Sequence, residues 1–321
     1  MRRVKLALSV FLAGGKVTVF FLLNHFKPNV EPYFNAGMIL FKHSKDLQSY
    51  LNYKREKKVF TGFVPTMGAL HDGHLSLVAQ SRLKTDISIC SIFVNPIQFN
   101  NADDFKKYPS TIEKDILSLE ESGCDILFMP VENEIYPDAD SKTKHFDLGY
   151  LEDILEGKFR PGHFQGVCLV VEKLLNIINP VFLFLGQKDY QQCLVIKKLV
   201  ALMNKDIEVV ICPILRERNG LAMSSRNLRL NEKERDSASK LYKTLEQIKR
   251  NLAPGNFSYL KKDAIVQLEL AGFTIDYLEL AKSANLEIVE DCNTHEKYIL
   301  LIAAFLNNVR LIDNLEVTGQ C

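Results

Sequence analysis

The sequence contains little that would mark a secreted disulfide protein or a zinc protein. Its seven cysteines, at positions 90, 124, 168, 193, 212, 292 and 321, form no Cys-x-x-Cys pair, and several lie inside apolar runs. Small secreted folds depend on closely spaced disulfides, and structural zinc sites need clustered cysteine or histidine ligands. The pattern therefore favours free core thiols in a reducing, cytoplasmic compartment over a disulfide framework or a zinc site.

An excess of charge of either sign is also missing. Lys and Arg together number 40 and Asp and Glu number 39, so the formal net charge is +1. A protein that binds nucleic acid over a broad surface carries a strong positive excess. We therefore expect no nucleic-acid partner, and the balance leaves room only for a local basic pocket.

The apolar runs near the N-terminus are too short for a transmembrane helix. A helix needs about 20 apolar residues to span a bilayer, whereas Leu6–Gly14 and Val17–Leu23 are separate short runs. With Met1-Arg2-Arg3 in front of it, the first run resembles a signal peptide. Because the remaining sequence is typical of an intracellular enzyme, we favour a non-essential extension over residues 1–37 and expect no membrane partner.

Short apolar segments alternate with amphipathic ones through most of the chain. We predict strands over residues 59–64, 86–94, 124–129, 181–185 and 207–212. The helices that we predict between them begin near Ser44, as an N-cap, and cover residues 73–83, 111–123 and 164–178; a further helix follows the turn at residues 186–189 and continues through Met203. This alternation predicts an α/β fold with a Rossmann-like, doubly wound parallel sheet. In such sheets ligands bind beyond the carboxyl ends of the strands.

Beyond Pro213 the pattern changes. A polar loop over residues 216–229 leads to a long charged helix over 231–252, with Asn231 as its cap. A second helix is predicted over 257–270, and strands over 273–280, 298–305 and 309–312. We therefore expect a Rossmann-like domain over residues 38–214 and a smaller C-terminal α+β domain over residues 215–321.

The stretch Val64–His74 carries the clearest chemistry. It reads VPTMGALHDGH and follows a predicted strand and opens a predicted helix. The free N–H groups and the dipole of a helix N-terminus attract anions, and Gly68 and Gly73 allow a close backbone approach. Three residues apart, His71 and His74 can face the same phosphate. A metal pair and two ordinary polar residues are the alternatives.

Two further loops carry positive charge. In GQKD, residues 186–189, Lys188 supplies a point charge for phosphate oxygens at a predicted helix start; the alternative is a solvated Lys-Asp turn. In MSSR, residues 223–226, two hydroxyls beside an arginine suit a polyphosphate; the alternative is an ordinary surface loop between domains.

Four amides lie near predicted strand ends, namely Asn95, Gln98, Gln191 and Gln192. An amide can donate to a carboxylate and accept from a hydroxyl, so this set suits a small hydroxy acid. The alternative for each of them is hydrogen bonding within its own loop.

Taken together, these segments resemble the pantoate–β-alanine ligase (pantothenate synthetase) family of the HxGH nucleotidyltransferase superfamily. The matching segments are PTMGALHDGH (65–74), FVNPIQF (93–99), YPST (108–111), RPGHFQGV (160–167), FLGQKDYQQ (184–192), LAMSSRN (221–227) and VRLIDN (309–314). Their order over residues 38–321 is more specific than any single motif. MSSR stands where class I aminoacyl-tRNA synthetases, which are relatives, carry a KMSKS-type loop.

The resemblance implies an enzyme that condenses pantoate with β-alanine through a pantoyl-adenylate, with ATP as co-substrate and Mg²⁺. It implies that residues 38–214 bind ATP and pantoate, that residues 215–321 close as a lid, and that the protein is a homodimer. The rival activities are AMP transfer to a phosphate acceptor by a sister nucleotidyltransferase and nucleotide binding without catalysis.

The same resemblance implies roles for individual residues. The implied catalytic groups are His71, His74, Lys188 and Arg226, with no protein-held metal. The implied ATP contacts are Met67, Gly68, Ala69, Leu70, His71, Asp72, Gly73, His74, Gly186, Gln187, Lys188, Asp189, Leu215, Met223, Ser224, Ser225 and Arg226. Gln98 and Gln192 are implied to bind pantoate, and Gln98 also β-alanine. The chain departs from the family at Gln187, where Glu is usual, and at Ser110, where Arg is usual.

Overall fold

The computed structural model describes residues 6–13, 16–23, 37–99, 105–106, 108–293 and 296–317. The chain divides into two compact units. The first comprises residues 1–148, 162–185 and 195–212, and the second comprises residues 149–161, 186–194 and 213–321. Two segments that the sequence places in the Rossmann-like domain, 149–161 and 186–194, therefore cluster with the C-terminal residues.

The first unit is built on a largely parallel sheet. Its strands are β1 (Leu6–Ala13), β2 (Lys16–Leu23), β3 (Ile39–Phe41), β4 (Thr61–Thr66), β5 (Ile87–Ile92), β6 (Ile126–Phe128), β7 (Phe182–Gly186) and β8 (Glu208–Cys212). They lie in the order β1-β2-β3-β6-β5-β4-β7-β8. The pairs from β2 to β7 are parallel, and β1 and β2, which the sequence did not predict as strands, pair antiparallel. The doubly wound parallel sheet is confirmed.

The strand order reverses beside β4, because β5 and β6 follow on one side and β7 and β8 on the other. Such a reversal is the switch point at which open α/β sheets form their ligand crevice. The chain leaves β4 at Thr66 and β5 at Ile92. The turn with the two histidines and the loop with Gln98 therefore start from the carboxyl ends of neighbouring strands.

Helices occur in both units. They are α1 (Ser44–Glu56), α2 (Asp72–Lys84), α3 (Ile112–Glu121), α4 (Glu132–Ile135), α5 (Leu155–Phe159), α6 (His163–Ile178), α7 (Tyr190–Leu202), α8 (Glu232–Ala238), α9 (Lys240–Asn251) and α10 (Phe257–Leu270). Helix α6 is buried along most of its length, and Phe164, Cys168 and Leu169 are among its buried residues.

The cap predicted at Ser44 is wrong. His43 occupies the N-cap position and Ser44 is the first helical residue of α1. The carboxylate of Glu134 accepts the Ser44 N–H at 2.9 Å and its hydroxyl at 2.7 Å. A side chain 90 residues away thus supplies the acceptor that the helix start needs.

The second unit contains an antiparallel sheet, which confirms the α+β character predicted for the C-terminal region. Its strands are β9 (Phe273–Lys282), β10 (Ile288–Val289), β11 (Tyr298–Leu306) and β12 (Val309–Val317), in the order β10-β9-β11-β12. Helices α9 and α10 bury Leu245 and Phe257 against a core that includes Leu278 and Leu300.

The predicted cap at Asn231 is confirmed. Its side chain accepts the Glu234 N–H at 2.9 Å, and the Glu234 carboxylate accepts the Asn231 N–H at 2.8 Å, which completes a capping box. The single helix predicted over 231–252 is wrong, because Ser239 separates α8 from α9. The bounds of α10 agree with the prediction.

Five cysteines, Cys90, Cys124, Cys168, Cys193 and Cys212, are free and buried as predicted. The prediction is wrong for Cys292, which is disulfide-bonded; Cys321 lies outside the described residues. Within the described ranges, no helix combines the length and the apolar character needed to cross a membrane.

Candidate active site

The turn after β4 adopts a backbone that most residues avoid. Gly68 and Ala69 have φ angles of +78° and +49°. The carboxylate of Asp115 in α3 accepts the N–H groups of Ala69 and Leu70, each at 2.8 Å. A β-carbon on Gly68 would lie 3.1 Å from this carboxylate. The protein itself therefore satisfies the backbone donors of two residues that the family resemblance implies as ATP contacts.

The two histidines lie together where the turn meets α2. His71 occupies the N-cap position and His74 the first turn. Their rings are 4.0 Å apart between centroids, and the His71 N–H donates to Nδ1 of His74 at 3.4 Å. A neutral His74 ring that accepts at Nδ1 carries its proton on Nε2. Both imidazoles thus lie at the positive end of a helix, and Nε2 of His74 can donate to an anion.

Gln98 lies beside the histidine turn. It ends the short 3₁₀ helix Pro96–Gln98 and is 8% exposed. Its Nε2 donates to Sδ of Met67 at 2.7 Å, and its Oε1 accepts from Asn95 at 3.2 Å. A residue implied to bind pantoate and one implied to contact ATP are therefore neighbours within the first unit.

The RPGHFQGV segment fixes the position of Gln98, a role that the sequence did not suggest. Gly162, with a φ of +77°, directly precedes α6, so this segment forms the entry to that helix. The His163 ring donates from Nδ1 to the Gln98 carbonyl at 2.8 Å. Gly166 lets the two segments approach, since a β-carbon there would lie 2.7 Å from the Gln98 Cα.

Asn95 serves the loop rather than a ligand. Its Nδ2 donates to the Gly166 carbonyl at 3.0 Å, and its Oδ1 accepts from the Ile97 N–H at 3.3 Å and the Tyr136 hydroxyl at 3.0 Å. The side chain is fully buried and its hydrogen-bonding capacity is used. For this amide the alternative of local hydrogen bonding holds.

In the second unit, Lys188 and Arg226 act on the same carboxylate. Lys188 lies in the 3₁₀ helix Gln187–Asp189, and its Nζ is 3.5 Å from Oδ2 of Asp189. Burial favours the neutral acid, but the charges of Lys188 and Arg226 keep the pKa of Asp189 below its usual value. The GQKD and MSSR segments thus bring an ammonium and a guanidinium group into one electrostatic environment.

Arg160 adds positive charge to this environment. Its side chain is 18% exposed and lies 3.8 Å from the Glu156 carboxylate. Burial lowers the pKa of Arg160 to about 10, an effect that Glu156 opposes and that Arg226 and Arg310 reinforce. The group stays protonated at neutral pH. Arg160 belongs to the RPGHFQGV segment, but the sequence did not predict that it would add charge here.

The adjacent amides Gln191 and Gln192 have different surroundings. Gln191 is buried, donates to the carbonyls of Leu151 and Ile154 at 2.8 and 2.9 Å, and accepts the Glu156 N–H at 2.9 Å. Gln192 is half-buried, and among the described residues its side-chain amide has no hydrogen-bond partner. Local bonding therefore explains Gln191, and Gln192 keeps an amide that a ligand can use.

The MSSR loop is folded by its own residues. The Ser224 hydroxyl accepts the Arg226 N–H at 3.2 Å and caps the 3₁₀ helix Ser225–Arg229. The Met223 N–H donates to the Leu215 carbonyl at 3.0 Å. Leu215, implied to contact ATP, thus has its backbone carbonyl engaged within the loop.

In the part of the chain that is described, no group of three or more His, Cys, Asp or Glu side chains is arranged to hold a metal ion.

A comparison with models of protein families shows to which family the chain belongs. A family model for pantoate-beta-alanine ligase matches residues 39–316. The chain belongs to the pantoate–β-alanine ligase family. The match includes every residue implied to act in the site.

Curated members of this family cover most of the chain. The pantothenate synthetase of Cytophaga hutchinsonii is 43% identical over 283 residues, which are 87% of this chain and 99% of the relative. The pantothenate synthetase of Thermodesulfovibrio yellowstonii is 46% identical over 259 residues, which are 80% of this chain and 91% of the relative.

Solved structures of the family have the same fold. The pantoate-beta-alanine ligase of Francisella tularensis, complexed with beta-gamma ATP and beta-alanine, has a TM-score of 0.74 at 37% identity and covers 87% of this chain and 97% of its own. The pantothenate synthetase of Thermus thermophilus has a TM-score of 0.76 at 36% identity and covers 88% of this chain and all of its own.

Proposed function

We infer that the chain catalyses the ATP-dependent condensation of pantoate with β-alanine to pantothenate, with release of AMP and pyrophosphate. Family membership carries this inference, because the match over residues 39–316 includes all the predicted site residues. The Francisella tularensis ligase, which is complexed with beta-gamma ATP and beta-alanine, has the same fold over 87% of this chain. The enzyme is an amide-forming ligase.

The reaction needs an activated carboxylate, because an amine cannot displace the poor leaving group of an unactivated carboxylate. An oxygen of the pantoate carboxylate attacks the α-phosphorus of ATP, the bond to the bridging oxygen breaks, and pyrophosphate leaves with the electron pair. Negative charge grows on the phosphates in this step. We assign its stabilisation to His71, His74, Lys188 and Arg226, because fixed donors and charges favour such a transition state.

The second step forms the amide. The β-alanine amine attacks the acyl carbon of the adenylate, the carbon–oxygen bond to the phosphate breaks, AMP leaves, and the nitrogen loses its proton. No side chain needs to form a covalent bond. The protein aligns the reactants and excludes water from the labile anhydride. Mg²⁺ would enter as part of the substrate, on the phosphates of ATP.

We assign the acid substrates to amides. Gln98 and Gln192 would bind pantoate, and Gln98 would also lie beside β-alanine. The Gln98 amide is already positioned by Met67 and Asn95, at 2.7 and 3.2 Å. Such preorganisation lowers the entropic cost of binding.

We assign ATP contacts to the segments Met67–His74, Gly186–Asp189 and Met223–Arg226 and to the Leu215 backbone. Because Asp115 occupies the N–H groups of Ala69 and Leu70, the first segment would act through its imidazoles and the start of α2. We further propose that the protein is a cytoplasmic homodimer.

The test is the product set. AMP release should require both pantoate and β-alanine, and mass spectrometry should show the amide product. Transfer of AMP to a phosphate acceptor, with no amide formed, would identify the chain as a different nucleotidyltransferase.

A further inference from the structure

The VRLIDN segment, Val309–Asn314, has no part in the reaction proposed above. It belongs to β12, at the edge of the second unit's sheet. Asp313 and Asn314 are only 4% and 2% exposed. Buried polar side chains are costly unless they are hydrogen-bonded. Their partners therefore show what this strand end does.

Asn314 bonds to the backbone around Lys188. Its Nδ2 donates to the carbonyls of Gln187 and Lys188, each at 2.9 Å, and its Oδ1 accepts from the Gln187 side chain at 3.3 Å. The two carbonyls belong to the peptide groups on either side of the Lys188 Cα. One side chain thus fixes both peptide planes and the direction in which the Lys188 side chain leaves the backbone.

Asp313 bonds to the start of the loop that contains MSSR. Its carboxylate accepts hydrogen bonds from both terminal nitrogens of Arg216, at 2.6 and 2.9 Å. The Arg216 guanidinium also lies 3.7 Å from the centroid of the Tyr242 ring and donates to the Gly220 carbonyl at 3.1 Å. A two-point ion pair of this kind fixes orientation as well as distance.

Further bonds within the loop connect Arg216 with Arg226. Arg216 pairs with Ala222 in a β-bridge, and the Met223 N–H donates to the Leu215 carbonyl at 3.0 Å. Ser224, the next residue, then caps the short helix that contains Arg226. A continuous series of backbone and side-chain bonds therefore connects Asp313 with this arginine.

We propose that Asp313 and Asn314 are positioning residues that fix the GQKD and MSSR segments to one strand end. Lys188 and Arg226 would thereby approach the phosphates as a unit. This assignment rests on the proposed function, because it concerns the two segments assigned to ATP. It gives the VRLIDN segment a role that its place in a C-terminal strand does not suggest.

The experiment is a double-mutant cycle on ATP binding. The affinity for a non-hydrolysable ATP analogue is measured by calorimetry in the wild type, Asn314→Ala, Lys188→Met and the double variant. If Asn314 acts through Lys188, Asn314→Ala weakens binding about tenfold, and the double variant binds within about twofold of Lys188→Met alone. Asn308→Ala, in the exposed turn before β12, is the control and should bind as the wild type does.

Two results would overturn the proposal. One is wild-type affinity in Asn314→Ala. The other is a double variant whose loss is the product of the two single losses, which indicates a general structural effect. If Asn314→Ala fails to fold, Asn314→Ser, which keeps one donor, replaces it in the same cycle. Absence of pantoate-dependent pyrophosphate release in the wild type would instead refute the proposed function, and analogue binding is read independently of it.

Discussion

The carboxylate of Asp115 accepts the backbone N–H of Leu70 at 2.8 Å, across 45 positions of sequence. Its other oxygen accepts the N–H of Ala69, whose φ is +49°. A non-glycine residue with positive φ needs support from its surroundings. The turn that directs the His71 and His74 imidazoles therefore depends on a buried acid in α3.

Replacement of Asp115 by Asn should loosen this turn. The Asn amide keeps one oxygen acceptor but places its NH₂ group against the second backbone N–H, which loses its acceptor. The free energy of unfolding should therefore fall by about 1–3 kcal/mol. The catalytic efficiency with ATP should fall. Urea unfolding and steady-state kinetics measure the two effects. Thr111→Val, which removes only a hydroxyl donor to Asp115 at 2.9 Å, is the control. Unchanged ATP kinetics in Asp115→Asn would refute the link to the histidines.

His74→Ala should fold normally and lose most adenylate formation. Loss of one preorganised donor costs about 10²–10³ in rate in comparable sites. The measurement is pantoate-dependent pyrophosphate release in a single turnover. His145→Ala, at an exposed position, should behave as the wild type. Near-normal turnover in His74→Ala would remove His74 from the mechanism.

The neighbours Gln191 and Gln192 should give opposite results when each is changed to Ala. Gln191→Ala breaks the three hydrogen bonds of a buried side chain, so the melting temperature should fall. Gln192→Ala should leave the melting temperature unchanged and raise the KM for pantoate. Thermal unfolding and kinetics with varied pantoate test both. A defect of Gln192→Ala confined to ATP would contradict its assignment.

Acid should destabilise the protein in part through Glu156. Burial alone would raise the pKa of this carboxyl, but hydrogen bonds and charge from Arg310, at 2.7 and 2.9 Å, outweigh burial and lower the pKa below 4.5. A lowered folded-state pKa adds stability above the unfolded value, and this stability is lost as the pH falls through the folded value.

Glu156→Gln should therefore be less stable at pH 7, by roughly 1.5–3 kcal/mol, and should lose less stability than the wild type below about pH 4.5. Urea unfolding between pH 7 and pH 3.5 measures both effects. Glu232→Gln, an exposed position in the first turn of α8, should keep the wild-type slope. If the free energy of unfolding falls equally with pH in Glu156→Gln and the wild type, the Glu156–Arg310 ion pair is not a cause of the acid destabilisation.

Sequence patterns predicted those parts of the fold that depend on neighbours along the chain. The bounds of α10 and the cap at Asn231 follow from local spacing alone. The cap at Ser44 was wrong because its acceptor, Glu134, comes from another helix. The apolar pattern also did not predict the division at Ser239 or the strands Leu6–Ala13 and Lys16–Leu23.

The candidate site shows the same difference between local patterns, which the sequence reveals, and distant contacts, which it does not. Motifs identified His71, His74, Lys188 and Arg226 because charge and turn chemistry are visible in a sequence. Asp115 bonds to the turn before His71, His163 to the Gln98 carbonyl, and Asn314 to the backbone at Lys188, and all three are ordinary polar residues in helices or a strand. Their roles depend on bonds across 45 to 127 positions, which no local pattern records.

The central claim is that the pantoate carboxylate attacks the α-phosphorus of ATP. It is tested most directly with pantoate labelled with ¹⁸O in its carboxyl group, followed by mass spectrometry of the products. The account predicts one ¹⁸O atom in AMP for each amide formed. Label in inorganic phosphate together with ADP, or AMP without label, would contradict it.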